Sequence, residues 1–355
     1  MVKVDYLVVG QGIAGTVITE HLISAGLRVH VIDDPHYSNS SKVAGGLYNP
    51  ITGRKMVKTW NCDVLFDYLI PFYRKLELKL ETNFLFEIPI YRPFYSNEEY
   101  NEWMGKSAEP AYGRYIKSIH GQHVFANHLH DSFGGIILNE SGYLDTRKMV
   151  RAYRNYLAQH GMISDLPFGY EKLELSDDGV VYGDFHASKI IFSEGRFQDE
   201  NPWFDWLPQK PVKGELIWIK SQEEIEHIYN RGVFLIPLSD GICKVGATYD
   251  HEKLDELTTE KAQSQLINRL RKLISFEFQV VDQKAGVRPA TIDRKPFIGK
   301  HPQFKNVVIF NGLGAKGVSL APYYANQLLL HLEKNMDLDD EVNIARFFSL
   351  FSKPL

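Results

Sequence analysis

Residues 2–33 read VKVDYLVVGQGIAGTVITEHLISAGLRVHVID, and the reading of this stretch decides the fold. Val2 to Val9 is a β-rich apolar run that halts at Gly10. From Gly12 to Ala25 the apolar residues Ile13, Val17, Ile18, Leu22 and Ile23 recur about every 3.6 residues, which predicts a helix. Gly26 ends it, as a glycine just past a helix C-terminus does. Leu27 to Ile32 is a second apolar run, closing on Asp33 and Asp34. Strand, glycine turn, helix and strand within about thirty residues form a βαβ unit.

Inside that unit Gly10, Gly12 and Gly15 spell G-x-G-x-x-G, with Ile13 and Ala14 in the same turn. The first glycine permits the tight turn, the second lets the backbone approach a pyrophosphate, and the third allows close helix–strand packing. A diphosphate then rests at the helix N-terminus, where free N–H groups and the helix dipole favour an anion. Asp33 follows Gly15 by 18 residues, at the end of the second strand, where a carboxylate accepts from ribose hydroxyls. The unit is expected to bind a dinucleotide. NAD and FAD both use this motif, so the motif alone leaves that choice open.

The rest of the chain alternates in character. Pro35 to Arg54 is loop-like by composition, Thr59 to Leu80 and Asp145 to His160 read as helices, and Asp145 or Thr146 caps the latter. Strand-like LEL, VVY and KIIF pieces lead to Gly195. Lys213–Ile219, Val233–Pro237 and Ile242–Thr248 are short strands separated by turns, the mark of an antiparallel sheet, and Thr259–Ile274 is an amphipathic helix. Asn306–Phe310 is a strand followed by NGLGAKG, whose Gly312, Gly314 and Gly317 open a helix running to about Leu332. That second helix N-terminus would suit the anionic edge of a reduced flavin. The expected fold is α+β: a discontinuous Rossmann-like cofactor domain (1–84, 139–208, 286–355) with an inserted antiparallel β-sheet substrate domain (85–138, 209–285).

Bulk properties narrow the function classes. The 355 residues carry a formal net charge of -4, which argues against nucleic acid as a partner. No apolar run approaches the ~20 residues of a membrane span, and no signal peptide is legible, so a cytoplasmic location is expected. Cys62 and Cys243 lie far apart and outside any Cys-x-x-Cys pattern, which excludes a disulfide framework and fits a reducing compartment. His120, His123, His128 and His130 cluster, but no carboxylate or cysteine completes a metal set, and no metal site is expected. The oligomeric state is left open.

Three separated stretches carry a family resemblance. The N-terminal unit, the loop SSKVAGGLYNP (40–50) and the tail GVRPATIDRKPFIG (286–299) with NVVIFNGLGAKGVSLAP (306–322) together resemble the D-amino-acid oxidase superfamily of FAD enzymes, which includes glycine oxidase and sarcosine oxidase. More loosely, GLGAKGVSLAP and VGATYDHE (245–252) resemble the FAD half of the bifunctional enzyme that makes 5-methylaminomethyl-2-thiouridine in tRNA.

The resemblance implies non-covalent FAD. It assigns Ser40, Ser41, Ala44, Gly46 and Leu47 to the loop passing the flavin ring, and Gly195 to the strand end beneath the cofactor, with Ser193-Glu194 replacing the usual small pair. Gly314, Ala315, Lys316, Gly317 and Val318 match the loop over the pyrimidine edge, with Leu313 where many relatives have His. Arg288 matches an arginine that grips a substrate carboxylate, a task suited to a guanidinium fork. Lys253 matches, by spacing, a lysine that activates oxygen, while Phe234 falls where amino-acid oxidases place a carboxylate-binding tyrosine. The implied reaction is oxidation of a C–N bond of a small amine or amino acid by hydride transfer to flavin N5, with oxygen or another acceptor completing the cycle. The rival readings are an RNA-modifying oxidase acting on a carboxymethylaminomethyl nucleoside, and a non-catalytic flavin-binding subunit of a larger dehydrogenase.

Overall fold

The computed structural model describes residues 1–37, 39–53 and 55–351. Its N-terminal unit comprises β1 (Val2–Val9), α1 (Ile13–Ser24) and β2 (Val29–Ile32). The second strand starts at Val29 because Arg28 is diverted, through its backbone N–H and guanidinium, to the Asp5 carboxylate. Two distant strands join them, β3 (Phe185–Phe192) and β4 (Val307–Asn311). All pair in parallel in the order β2–β1–β3–β4, with Ile163–Ser164 parallel on the outer edge of β2. Antiparallel strands Gly179–Tyr182 and Phe297–Lys300 extend the sheet on β3 and β4.

The register matters more than the strand count. Val9 pairs with both Ile32 and Phe192, and Phe192 pairs with Ile309, so the C-terminal ends of four parallel strands stand in one row. Gly10, Asp33, Ser193 and Asn311 follow that row within two residues. In open α/β sheets this carboxyl edge is where ligands bind. Side chains alternate as a sheet buried on both faces requires. Tyr6, Val8, Val31, Ile191 and Val308 pack against α1 and α2 (Gly317–Lys334), whereas Leu7, Val9, Ile32, Ile190 and Val307 pack against Trp203, Phe204 and Leu207.

A second eight-stranded sheet carries Gln279–Arg288, Val212–Lys220, Ile242–Gly246, Phe234–Pro237, Ile228–Asn230, Ile90–Pro93, Gly135–Leu138 and Ile116–His120 in that order. It is antiparallel except where Ile228–Asn230 runs parallel to Ile90–Pro93. Helix Glu260–Arg271, capped by Thr259, buries Leu266 and Leu270 among Ile217, Leu235 and Val245 of this sheet. Gln279–Arg288 is continuous through position 286, where the sequence reading had drawn a boundary, and a small three-stranded sheet joins Leu47–Tyr48, Gly142–Leu144 and Leu85–Glu87. Two helices, Asn97–Ser107 and Pro110–Gly113, lie within 85–138, where the expected domain is an antiparallel sheet. Among the described residues no helix is long and apolar enough to cross a membrane.

Close packing of α1 on β1 depends on Gly15, where an added Cβ would lie 1.8 Å from the Gly10 carbonyl oxygen. Gly15→Ala is expected to destabilise the fold by about 3 kcal/mol through backbone overlap, read as a lowered urea midpoint with an unchanged slope.

Candidate cofactor and substrate site

Two adjoining cavities open on the row of strand ends, with Ile13, Ser40, Ser41, Gly314 and Gly317 lining both. The first, about 170 Å³, is lined by Gly10, Gly12, Ala14, Asp33 and Gly195, with Glu194, Tyr170 and Arg196 around them. The second, about 540 Å³, takes Ala44, Gly46, Leu47, Ala315, Lys316, Val318, Phe234 and Arg288. Residues scattered over 300 positions of chain thus meet in one place. Gly15 lines neither cavity; its place is between helix and strand.

In the first cavity, α1 begins at Gly12 with no side-chain cap and no acidic residue in its first turn. Ser41 Oγ accepts from the Ile13 N–H at 3.0 Å, and no built-in carboxylate competes for the rest of that helix end. Gly10 turns the chain at φ +94°, where a Cβ would stand 2.6 Å from the Ser193 carbonyl oxygen. Asp33 is held by two neighbours: the Gln11 backbone N–H donates to Oδ1 at 2.8 Å and Arg154 Nη1 donates to Oδ2 at 2.5 Å. Arg154 also binds Asp165. The sequence held no signal for Arg154, since its helix contacts Asp33 only through tertiary folding.

Glu194 is the least expected member of this wall. Tyr170 Oη donates to it at 2.7 Å and Asn201 Nδ2 at 2.8 Å. Burial nevertheless outweighs those bonds, and with help from nearby Glu200 lifts its pKa to about 7.

The second cavity has the opposite character. Arg92, Arg231, Arg288 and Lys316 line it, and no Asp or Glu among the described residues does. Lys316 Nζ donates to Thr59 and Thr52 hydroxyls at 3.2 and 3.3 Å, and burial depresses its pKa. The Arg288 guanidinium lies directly over Gly214, where an added Cβ would fall 2.1 Å from Nη2. Nη1 donates to the Thr248 carbonyl oxygen at 3.3 Å, and the group sits 4.8 Å from the Tyr249 ring centroid. Burial lowers its pKa below the ordinary guanidinium value. The Phe234 ring fills a slot between two glycines, its Cζ lying 2.6 Å from a Cβ built on Gly45 and 2.8 Å from one built on Gly246.

Lys253 is not brought into the site. It is exposed, lines neither cavity, and its backbone N–H caps Asp250 in a surface turn. Ala247 and Tyr249 still line the second cavity, but the chain reaches the surface by His251, before Lys253. The four histidines are likewise dispersed: His123 pairs with Asp131, and His128 with Glu223. Among the described residues no group of three or more His, Cys, Asp and Glu is arranged to hold a metal.

The family model described as FAD dependent oxidoreductase matches residues 5–329, and the chain belongs to that family. It is 30% identical over 146 residues to glycine oxidase of Pseudomonas aeruginosa, spanning 40% of that enzyme and 39% of this chain. It is 25% identical over 193 residues to the tRNA 5-methylaminomethyl-2-thiouridine biosynthesis bifunctional protein of Leptospira interrogans, spanning 29% of that protein and 45% of this chain. The chain thus covers less than half the length of these curated relatives. The crystal structure of glycine oxidase from Geobacillus kaustophilus superposes with a TM-score of 0.78 at 18% identity, covering 98% of both chains.

The first cavity fits the dinucleotide part of FAD: an uncapped helix end for the diphosphate, a glycine turn with no room for side chains, and Asp33 for a ribose. Glu194 adds a pH dependence. Its folded pKa is raised, so it is neutral below about pH 7 and anionic above it. FAD affinity is expected to fall by up to about tenfold between pH 6 and pH 8 as a carboxylate appears beside an anionic ligand. Fluorescence titration of apoprotein checks this, and Glu194→Gln is expected to flatten the profile.

Proposed function

We propose that this FAD-dependent oxidoreductase oxidises a C–N bond of a small amine or amino acid bearing a carboxylate, with Arg288 as the carboxylate anchor. The observation that carries the reading is a buried guanidinium with one backbone hydrogen bond, no ion pair among the described residues, and a cavity in front of it. Burying a cation without a counter-charge is costly, and a substrate carboxylate removes that cost by accepting from two of the remaining N–H groups. Resemblance to glycine oxidase points the same way.

The residues Ser40–Leu47 and Gly314–Val318 would hold the flavin ring. The chemistry supplied by bound FAD is acceptance of two electrons as hydride from the substrate carbon. The chain's own part is placement. Arg288 fixes the carboxylate, and Lys316, steadied by Thr52 and Thr59, keeps a positive potential on the cavity. Phe234 presents an apolar face without a hydrogen-bond donor, so the carboxylate depends on Arg288 more heavily than it would with a tyrosine there. No Asp, Glu or His among the described residues lines the cavity to take a proton from the amine. The substrate amine must therefore arrive neutral, and the surrounding cations favour its neutral form. Oxygen or another acceptor would return the flavin to its oxidised state. The two buried, unpaired cysteines support a cytoplasmic setting.

Anaerobic flavin reduction screened over glycine, sarcosine, proline and D-amino acids tests the reading. The rate should rise with pH as the free amine titrates; a flat profile from about pH 6 to about pH 10 would count against it. Arg288→Gln is expected to weaken carboxylate substrates by roughly tenfold to 100-fold, read as apparent Kd in the reductive half-reaction. Unchanged affinity would remove the anchor assignment.

A further inference from the structure

The second cavity holds more positive charge than one carboxylate can answer. Arg288 and Lys316 stand beside the loops assigned to the flavin, but Arg92 and Arg231 line the cavity elsewhere, both against the Tyr95 ring. Tyr95 is 52% exposed, which marks this end as a mouth. Arg288 ends the edge strand Gln279–Arg288, whereas Arg231 follows Ile228–Asn230, four strands further along the sheet. At about 4.8 Å per strand, roughly 19 Å of sheet separates the two backbones. One small carboxylate does not reach both.

The charges at the mouth are not equally committed. Arg92 Nη1 is paired with Glu99 at 2.7 Å. Arg231 donates only to carbonyl oxygens, from Nη1 to Phe94 at 3.3 Å and from Nη2 to Lys272 at 2.8 Å, and it makes no ion pair among the described residues. Its guanidinium lies 5.4 Å from the Tyr95 ring centroid. That stacking orients the group, and the guanidinium N–H groups not bound to carbonyls remain available for an anion. Burial depresses its pKa below the ordinary guanidinium value, as it does for Arg288. Asp131 and Glu99 favour the protonated form of Arg231 only from a distance. Two partly buried arginines, neither in an ion pair among the described residues, therefore line one cavity.

We infer that the substrate carries two anionic groups: a carboxylate beside the reacting C–N bond, held by Arg288, and a second carboxylate or phosphate on a spacer, held at the mouth by Arg231. This rests on the carboxylate reading of Arg288 and extends it from a simple amino acid to a dianionic amine. Arg231 acts on binding and specificity and is distant from the reacting atoms.

The test is titration of the holoenzyme with unreactive probes at constant ionic strength, followed by perturbation of the flavin spectrum. Butyrate and hexanoate serve as monoanions, glutarate, adipate and pimelate as dicarboxylates, and the matching phosphonoalkanoates separate a phosphate site from a carboxylate site. One dianion series is expected to bind about tenfold more tightly than monoanions of similar length. Arg231→Gln should bring that ratio close to one, and Arg231→Lys, which keeps the charge, should retain part of it. The lysine variant separates anion binding from mere loss of the hairpin at Gly232. Equal affinity for mono- and dianions, or a preference that survives Arg231→Gln, overturns the inference. If monoanions bind in an Arg288-dependent way without any dianion preference, only this inference falls. If neither series perturbs the flavin, the Arg288 reading falls with it.

Discussion

Two helix N-termini meet at the centre of this molecule. α1 begins at Ile13 and α2 at Gly317, and a Cβ on Gly317 would lie 3.2 Å from Ile13 Cγ2. The two helices pack along each other over the same face of the parallel sheet. Neither has a side-chain cap or an acid in its first turn. Two uncapped helix ends converge on one point, and each leaves N–H groups that need an anionic or polar ligand. The strand register behind them follows from the same requirement. Val9, Ile32, Phe192 and Ile309 must end together for Gly10, Asp33, Gly195 and Gly314 to face the shared space.

Charge is then divided along that space. The dinucleotide end is lined by Asp33, Asp34, Glu194, Glu200 and Glu256 with Arg196, and the substrate end by arginines and a lysine without an acid among the described residues. Helix dipoles and backbone N–H groups would hold the diphosphate of FAD in a surround that is otherwise negative, which would make the titration of Glu194 consequential there. At the other end the arginines and lysine leave a positive potential, which would favour an anionic ligand and the neutral form of an amine. The second sheet supplies this contrast: Arg231 and Arg288 sit on or beside its strands, and Lys244 Nζ ties it to the cofactor loop through the Ala44 carbonyl oxygen at 3.2 Å.

Local signals were legible where local physics decides. The first strand reads from its apolar run with no adjustment, and helix Thr146–Gln159 is capped by Asp145, which accepts from the Lys148 N–H at 3.0 Å. The helix read over Thr259–Ile274 forms as Glu260–Arg271, with Thr259 as its cap. The helix at Asn97–Ser107 was missed although Ser96 and Glu99 have capping-box spacing, because the aromatic residues around it suggested strands. The helix expected from Thr59 begins at Cys62 because Val57–Lys58 pairs with Ile51–Thr52 and Asn61 takes a left-handed conformation at φ 55°.

The sequence by itself determined the βαβ unit, the glycine turn and the acid at the second strand end, since each depends on neighbours within about thirty residues. It also singled out Arg288 and the two glycine loops as candidates, through a resemblance that spans the chain. What only the tertiary structure decided was which charges are answered. Asp33 is paired with Arg154 across 121 positions, Lys253 is exposed and lines neither cavity, and Arg231 and Arg288 make no ion pair among the described residues. Charge and chain position are written in the sequence. Burial and the nearest opposite charge are not, because both are set by strands that meet only after the whole chain has folded.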